Sequence, residues 1–334
     1  MKILSIAITS YLRVSELDRC LRSIDTSFID EIEVIVSEDC SKKKNEISKL
    51  VNKISLELPY KLIFNSNEIN LGYDKNIKKL IDLSSSEYIL FITDDDKFSK
   101  NSLNKIISHL KEKRPAFLLT PYLHIKKGLQ GRKYDQSHSI KSGLESVKKY
   151  LFDSILVSGL IFKKSLIPEY QLDKFDKLIY SQVYIFSSIL YKHDGEYLNI
   201  NLIDCVEDGE NAYGKSESNI NTDLANRSKP ISNLEFNKGL IKIIQIFDTD
   251  NNTNLHRVFS QEYSLRSWQG LSASKKISQK ELNNYFIKLL KLDIRRPYIS
   301  YVYFILLSML GFRITNFLLF LPKNILDRYR KKRC

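Results

Sequence analysis

The run Asp94-Asp95-Asp96 stands directly behind the apolar stretch Tyr88-Ile-Leu-Phe-Ile-Thr93. Three adjacent carboxylates repel one another unless a positive charge joins them. A hard divalent cation, Mg²⁺ or Mn²⁺, with a phosphorylated ligand completing its shell, is the natural partner. A solvated acidic turn ahead of a helix is the plainer alternative. The apolar stretch argues for chemistry, because carboxylates at the carboxyl end of a buried strand lie where open α/β sheets bind ligands. Two further segments have the same form: Ser37-Glu38-Asp39-Cys40-Ser41 behind Val34-Ile-Val36, and Asn70-Leu-Gly72-Tyr73-Asp74-Lys75-Asn76 behind a third apolar run. The first apolar run likewise ends in Thr9-Ser10-Tyr11-Leu12-Arg13.

The elements that must position these residues follow from the patterning. Ile3–Thr9, Ile32–Val36, Tyr60–Phe64, Tyr88–Thr93 and Ala116–Thr120 are nearly continuous apolar runs rich in β-branched residues, as strands buried on both faces should be. Between them the period changes to that of helices. Ser15 is placed to cap one carrying Leu17, Cys20, Leu21 and Ile24, and Ser99 to cap another carrying Leu103, Ile106, Ile107 and Leu110. Alternation of this kind predicts βαβ units and a mostly parallel sheet. A further strand is expected over Leu156–Phe162 and a helix over Lys177–Tyr191, packing Val183, Phe186, Ile189 and Leu190. Residues 208–229 are rich in Asn, Ser and Gly and read as a long loop or lid; beyond them the pattern is helical. The expected organisation is therefore a catalytic domain over 1–205, with a ligand half (1–120) and a second half (121–205), a polar loop over 206–230, and a helical region over 231–334.

Taken together and in this order, the motifs resemble those of the family 2 glycosyltransferases with the GT-A fold, particularly bacterial enzymes that build O-antigen or capsular polysaccharide. The resemblance covers roughly residues 1–190 and implies a Rossmann-like sheet sandwiched by helices. In the family the first strand ends in a Pro-Thr-Tyr-Asn-Arg-like turn at the nucleotide. Thr9, Ser10, Tyr11 and Arg13 match it, while Leu12 departs from the usual Asn. The Ser-Asp-Asn-Gly-Ser segment that reads the base becomes Ser37 to Ser41, so either Glu38 or Asp39 is the expected acceptor for a pyrimidine N–H. Asn70, Gly72 and Asn76 match the Asn-x-Gly-x-x-x-Asn pattern. The Asp-x-Asp motif matches at Asp94 and Asp96, or one place earlier at Thr93 and Asp95. In either register Asp96 or Asp95 is expected to touch the metal, with Asp94 facing the ribose or the nucleotide.

The resemblance also implies a nucleotide-sugar donor, a divalent cation, and inversion at the sugar, which calls for a general base toward the acceptor hydroxyl. The Glu-Asp pair expected at the head of the acceptor-side helix is absent; Asp173-Lys-Phe-Asp176 stands there, making Asp176 the first candidate base, with Asp153 second. Tyr180 and Gln182 are candidate acceptor contacts, with helix surface as the alternative. Gly159, in Val157-Ser158-Gly159-Leu160, would let backbone approach the acceptor closely, or would mark a bulge in a core strand. Glu207-Asp208 matches the missing pair by letters but falls beside the polar loop.

Composition narrows the field further. With 334 residues, 11 Gly and 7 Pro, the chain is long enough for a sizeable core and is neither collagen-like nor low-complexity. Cys20, Cys40, Cys205 and Cys334 are scattered, with no zinc spacing, which fits a reducing compartment. The formal charge of +13 predicts attraction to a polyanion. No finger, helix-turn-helix or RNA-recognition signature directs it to nucleic acid. A nucleotidyltransferase would want a glycine-rich basic loop after the first strand, which Thr9–Arg13 lacks. Residues 297–322 are strongly apolar but interrupted by Gly311 and Arg313, and residues 323–334 carry six basic side chains against the single acid Asp327. That combination predicts an interfacial tail on an anionic membrane surface; a helical hairpin packed on protein is the alternative. With a polyprenyl-diphosphate-linked glycan as acceptor, the expected location is peripheral, at the cytoplasmic face of the inner membrane.

Overall fold

The computed structural model describes residues 2–169, 172–175, 177–206, 208, 215–216, 219–220, 230–294 and 297–331. The chain divides into two compact units, Met1–Asn221 with Lys242–Thr253, and Thr222–Ile241 with Asn254–Cys334.

The first unit is an α/β assembly. Its strands are β1 (Leu4–Ser10), β2 (Ile32–Glu38), β3 (Leu62–Ser66), β4 (Tyr88–Thr93), β5 (Asp96–Phe98), β6 (Phe117–Leu119), β7 (Tyr122–His124), β8 (Leu129–Gly131), β9 (His138–Ile140), β10 (Leu160–Lys163), β11 (Gly195–Tyr197) and β12 (Ile203–Cys205). Eight of them form the main sheet in the order β3-β2-β1-β4-β10-β6-β11-β9, and β5-β12-β7-β8 form a second sheet. β1 runs parallel to both β2 and β4, and β2 parallel to β3, while β10 is antiparallel to β4 and β6. The chain thus leaves β1 on one side to make β2 and β3 and crosses to the other for β4. That is a topological switch point, where open sheets of this kind bind ligands beyond the carboxyl ends.

Register makes the point concrete. Ser10 pairs with Glu38, Thr9 with Thr93, and Glu38 with Ser66, so the polar ends of β1 to β4 line one edge. The helices that close the core are α1 (Val14–Arg22), α2 (Lys44–Glu57), α3 (Tyr73–Leu83), α4 (Ser102–Lys113), α5 (Leu144–Tyr150) and α6 (Ser181–Lys192). Leu17, Cys20 and Leu21 of α1, Ile47 and Ile54 of α2 and Ile106 and Ile107 of α4 are buried with Ile6, Ile8, Val34, Leu90 and Ile92 of the sheet. Removing these apolar faces from water is what holds the strand ends in register. A buried charge interrupts this core. Burial disfavours the Glu33 carboxylate, but hydrogen bonds from Ser5, Ser85 and Ser86 outweigh it and hold the carboxyl below its usual range.

Several local expectations are corrected. α1 begins at Val14 with Arg13 in the cap position, and Ser15 bonds Glu16 instead of capping. α4 begins at Ser102 behind Asn101, because the Ser99 hydroxyl is taken by Asp204 at 2.6 Å. The third strand starts two residues later than its apolar run, and the strand expected from Leu156 starts at Leu160, since Arg132 engages the carbonyls of Leu156 and Ser158. The helix expected from Lys177 starts at Ser181. The polar stretch 206–230 lies mostly outside the described residues.

The second unit is helical. α7 (Ile231–Asn251) begins in it, followed by α8 (Leu255–Ile277), α9 (Gln279–Leu290) and α10 (Tyr298–Lys331). Ser278 caps α9, accepting from the Glu281 N–H at 3.0 Å. α10 packs on its neighbours through aromatic rings: Phe304 stacks on Phe286 at 4.0 Å, and Trp268 meets Tyr303 and Phe312. Gly311, at φ 71° and ψ 176°, breaks α10 into two helical pieces. The segment Tyr298–Leu319 is 22 residues long with mean hydropathy 1.7, long and apolar enough to cross a membrane.

Candidate functional site

The three carboxylates leave β4 in three directions. Asp94, 2% exposed, turns back toward the end of β1, where its Oδ2 accepts from the Tyr11 N–H at 3.0 Å and its Oδ1 accepts from Arg13 Nη1 at 2.9 Å. Asp96 turns inward as the first residue of β5, and its Oδ2 accepts from the hydroxyls of Ser158 (2.6 Å) and Thr93 (3.1 Å). Asp95 faces outward, 21% exposed, with Arg13 Nη1 3.1 Å from its Oδ1, while its main-chain carbonyl accepts from Arg19 at 2.8 Å. Arg19 in turn forks onto both oxygens of Asp208 at 2.7 and 2.8 Å.

Burial pushes the Asp94 carboxyl up to about 7 against the pull of Arg13, and burial together with the charge of Asp95 pushes Asp96 up to about 6. Arg13 is shared between two of the three carboxylates, and Arg19, which reaches the Asp95 carbonyl, pairs with a fourth acid, Asp208, so the turn carries more acidic than basic side chains. Among the described residues no three His, Cys, Asp or Glu side chains converge as a ready-made cation cage. The donor set nonetheless fits a hard cation that takes one or two carboxylates and completes its shell with phosphate oxygens and water. Asp95 is the outward carboxylate such an ion would meet, and Asp96 stands beside it.

On the β2 side the two acids have different fates. Asp39 is saturated: Oδ1 accepts from the Leu71 N–H (2.8 Å) and Asn67 Nδ2 (2.9 Å), and Oδ2 from the Gly72 N–H (2.9 Å). It therefore shapes the loop ahead of α3, which Asn70 also fastens by donating to the Asp39 carbonyl. Gly72, at φ 80°, enters α3 in a conformation that favours glycine. Asn76 is buried under this loop, accepting from the Ser37 hydroxyl at 2.6 Å and donating to its carbonyl. Glu38 accepts from the Ser41 N–H through Oε1, whereas its Oε2 is buried without a partner among the described residues, as is the Ser10 hydroxyl on the adjacent β1 end.

Two of the departures from the family's letters fall where the backbone turns left-handed. Leu12, in place of the usual Asn, has φ 67°, and Cys40, in place of Gly, has φ 52°. A side chain such as leucine strains there, whereas Asn and Gly do not. Leu12→Asn is expected to raise stability by about 1 kcal/mol, read as a shift of the denaturant midpoint at unchanged slope; a destabilised variant would show that Leu12 packing outweighs the backbone cost.

The other half of the unit supplies the neighbouring wall. Ser158 ties β10 to the acidic turn, accepting from the Thr93 N–H at 3.1 Å while donating to Asp96. Gly159 follows at φ 82°, a conformation that favours glycine, and a Cβ there would also have to displace the Ile203 side chain, 3.1 Å away, by a few tenths of an ångström. Arg132 is buried and spends its guanidinium on the carbonyls of Asp153, Ser158 and Leu156, and burial holds it below its usual range. The Asp153 carboxylate accepts from Tyr134 Oη at 2.5 Å. Gln182 is buried, not on helix surface, linking Tyr73 Oη to the Ile155 carbonyl. Tyr180 occupies the N-cap position of α6. Asp176 and Glu207 lie outside the described residues.

Three residues unassigned from the sequence hold this wall. Asp74, buried in α3, accepts from the N–H groups of Ile179 (2.6 Å) and Ser181 (2.9 Å), capping α6 from another element; burial pushes its carboxyl up to about 6. Ser158 and Arg132 are the others. Asp74 and Ser158 stood inside quoted motifs, but nothing local marked Arg132, whose three carbonyl partners lie 21 to 26 residues away.

Parallel strands switching direction at β1, acids beyond their carboxyl ends, and an antiparallel β10 completing the sheet define a GT-A type of α/β fold. The family model described as glycosyl transferase family 2 matches residues 5–171, and the chain belongs to that family. An uncharacterized glycosyltransferase of Haemophilus influenzae is 29% identical over 109 residues, covering 33% of this chain and 35% of that protein. The abequosyltransferase RfbV of Salmonella typhimurium is 25% identical over 118 residues, covering 35% of each. The chain thus spans about a third of the length of these curated relatives. Among solved structures, the mannosyltransferase PcManGT from Pyrobaculum calidifontis, in complex with GDP-Man and Mn²⁺, superposes with a TM-score of 0.53 at 11% identity, over 93% of this chain and 87% of that one. S. aureus TarS gives a TM-score of 0.50 at 14% identity, over 90% of this chain and 52% of that one.

Proposed function

We propose that this protein transfers one sugar, with inversion, from a nucleotide donor to a hydroxyl of a polyprenyl-diphosphate-linked glycan in the making of a bacterial surface polysaccharide of the O-antigen or capsule type. The observation that carries the reading is the acidic turn at the switch point, under-neutralised and open on its Asp95 side. Asp95 and Asp96 would hold a Mn²⁺ or Mg²⁺, and a bound ion there supplies charge neutralisation for the departing diphosphate. PcManGT, which shares the fold, was solved with Mn²⁺.

The remaining roles belong to the chain's own groups. Thr9, Tyr11, Arg13 and Asp94 line the nucleotide side of the turn. Glu38, with its spare buried oxygen, is better placed than saturated Asp39 to accept a base N–H. Asp39, Asn70, Gly72 and Asn76 then hold the loop that frames the donor. On the acceptor side Gly159, Tyr180 and Gln182 shape the wall, and Asp153 or Asp176 takes the proton from the attacking hydroxyl. A screen of UDP-, dTDP-, GDP- and CDP-sugars against extracted lipid-linked acceptor, with Mn²⁺ or Mg²⁺ and mass-spectrometric readout, tests the reading: one donor is consumed with a matching mass gain on the lipid. Consumption of none under any metal condition would end it.

The acceptor places the enzyme at a membrane surface, and the tail supports peripheral attachment. Tyr298, Tyr301, Val302, Ile305 and Met309, the last 78% exposed, recur at helical spacing on one exposed stripe of α10, and Ile314, Phe317 and Leu318 follow beyond Gly311. Apolar residues exposed in such a row, next to six basic residues in 323–334, suit an anionic bilayer interface. Deleting 297–334 is expected to abolish sedimentation with anionic vesicles while donor hydrolysis persists; vesicle binding unchanged by the deletion would refute the attachment.

A further inference from the structure

Arg13 stands between two carboxylates of the acidic turn. The left-handed Leu12 turn presents it at the head of α1, where one nitrogen, Nη1, reaches both Asp94 (2.9 Å) and Asp95 (3.1 Å). The two acids are not held alike. Asp94 has a second anchor in the Tyr11 N–H, whereas the Asp95 carboxylate, the outward one, meets the protein through Arg13. A cation arriving at Asp95 therefore competes with a positive charge already there.

We infer that Arg13 is an internal counter-cation of the acidic turn: it shares its charge between Asp94 and Asp95 in the free enzyme and gives up Asp95, keeping Asp94, when a divalent cation binds. The inference rests on the proposed cation role of Asp95. Its consequence is order. In the free enzyme Arg13 weakens cation binding, and a nucleotide diphosphate, bringing its own negative charge, tips the competition, so cation and donor enter together. The guanidinium, still tethered to Asp94, then faces that diphosphate.

The test is Mn²⁺ binding to the full chain without nucleotide, followed by loss of the free-ion electron paramagnetic resonance signal. Arg13→Met removes the competing charge at similar length and is expected to bind Mn²⁺ roughly two- to fivefold more tightly than wild type, the scale of losing one partly exposed ion pair. Arg13→Lys, a point charge that cannot span both acids, should fall between the two, and it decides the matter if the Met variant does not fold. Added UDP should tighten Mn²⁺ binding more in wild type than in either variant. Equal or weaker Mn²⁺ affinity in the folded variants would overturn the inference. Asp95→Asn separates the two levels of claim: Mn²⁺ binding that survives in it defeats the cation reading itself, whereas binding lost in it but unmoved at Arg13 defeats only the role of Arg13.

Discussion

Asp95→Asn is expected to lower transfer by roughly a hundred- to a thousandfold, the cost of removing one preorganised electrostatic stabiliser of a departing anion, while the fold stays as stable as wild type. The two halves of that expectation come from one fact. Asp95 points outward, and its carboxylate meets Arg13 across a partly exposed ion pair, a contact whose loss is worth about 1 kcal/mol or less. Asp96, which the sequence alone makes an equal candidate, is a poorer probe. Its Oδ2 receives two hydroxyl hydrogen bonds, so Asp96→Ala would lose activity and leave Ser158 and Thr93 without their acceptor. Steady-state kinetics beside a denaturation curve checks the claim. Wild-type turnover in Asp95→Asn would sink the cation assignment, and a large loss of stability would sink the geometry.

Asp39→Ala carries the second large effect, this time on structure. Three N–H groups, those of Leu71, Gly72 and the Asn67 amide, converge on its two oxygens. The Asn67 amide is buried and the Leu71 and Gly72 N–H groups are half-buried; a donor left unpaired costs about 1 kcal/mol or more when buried and less where water can reach it, so a loss of about 2 kcal/mol is expected. The loop from Asn70 to Gly72 loses its mould at the same time, so the donor Michaelis constant should rise in whatever folded protein remains. Urea unfolding gives the first number and initial rates against donor concentration the second. A stability change below about 1 kcal/mol would mean that water replaces the carboxylate and that Asp39 is not the organiser of this loop.

What the sequence disclosed and what it withheld divide along physical lines. Apolar runs buried on both faces announce themselves locally, so β1, β2 and β4 were legible almost to the residue, and with them the acids at their ends. The fate of each acid was not, because it depends on partners far along the chain. Asp94 meets Arg13 from 81 residues away, and Asp74 reaches the N–H groups of α6 from more than 100. The same reason explains the failed cap at Ser99. Ser99 has the right chemistry to start a helix, but Asp204 competes for its hydroxyl, and that acid arrives on β12. The departures at Leu12 and Cys40 were visible as letters, yet only the backbone shows that both are left-handed positions. Arg132 was invisible, since a lone arginine in a polar stretch looks like surface until three carbonyls close around it.

In the function proposed above, these roles converge on Asp95 as the place where protein, cation and diphosphate would meet. The most direct measurement is the anomalous difference map of a crystal grown with Mn²⁺ and the nucleoside diphosphate that the donor screen selects. The expected peak lies at bonding distance, about 2.0–2.5 Å, from an Asp95 oxygen, with the diphosphate on its far side and the Arg13 guanidinium withdrawn onto Asp94. A nucleotide seated at the opposite end of the strands, or a manganese peak away from the acidic turn, would contradict it.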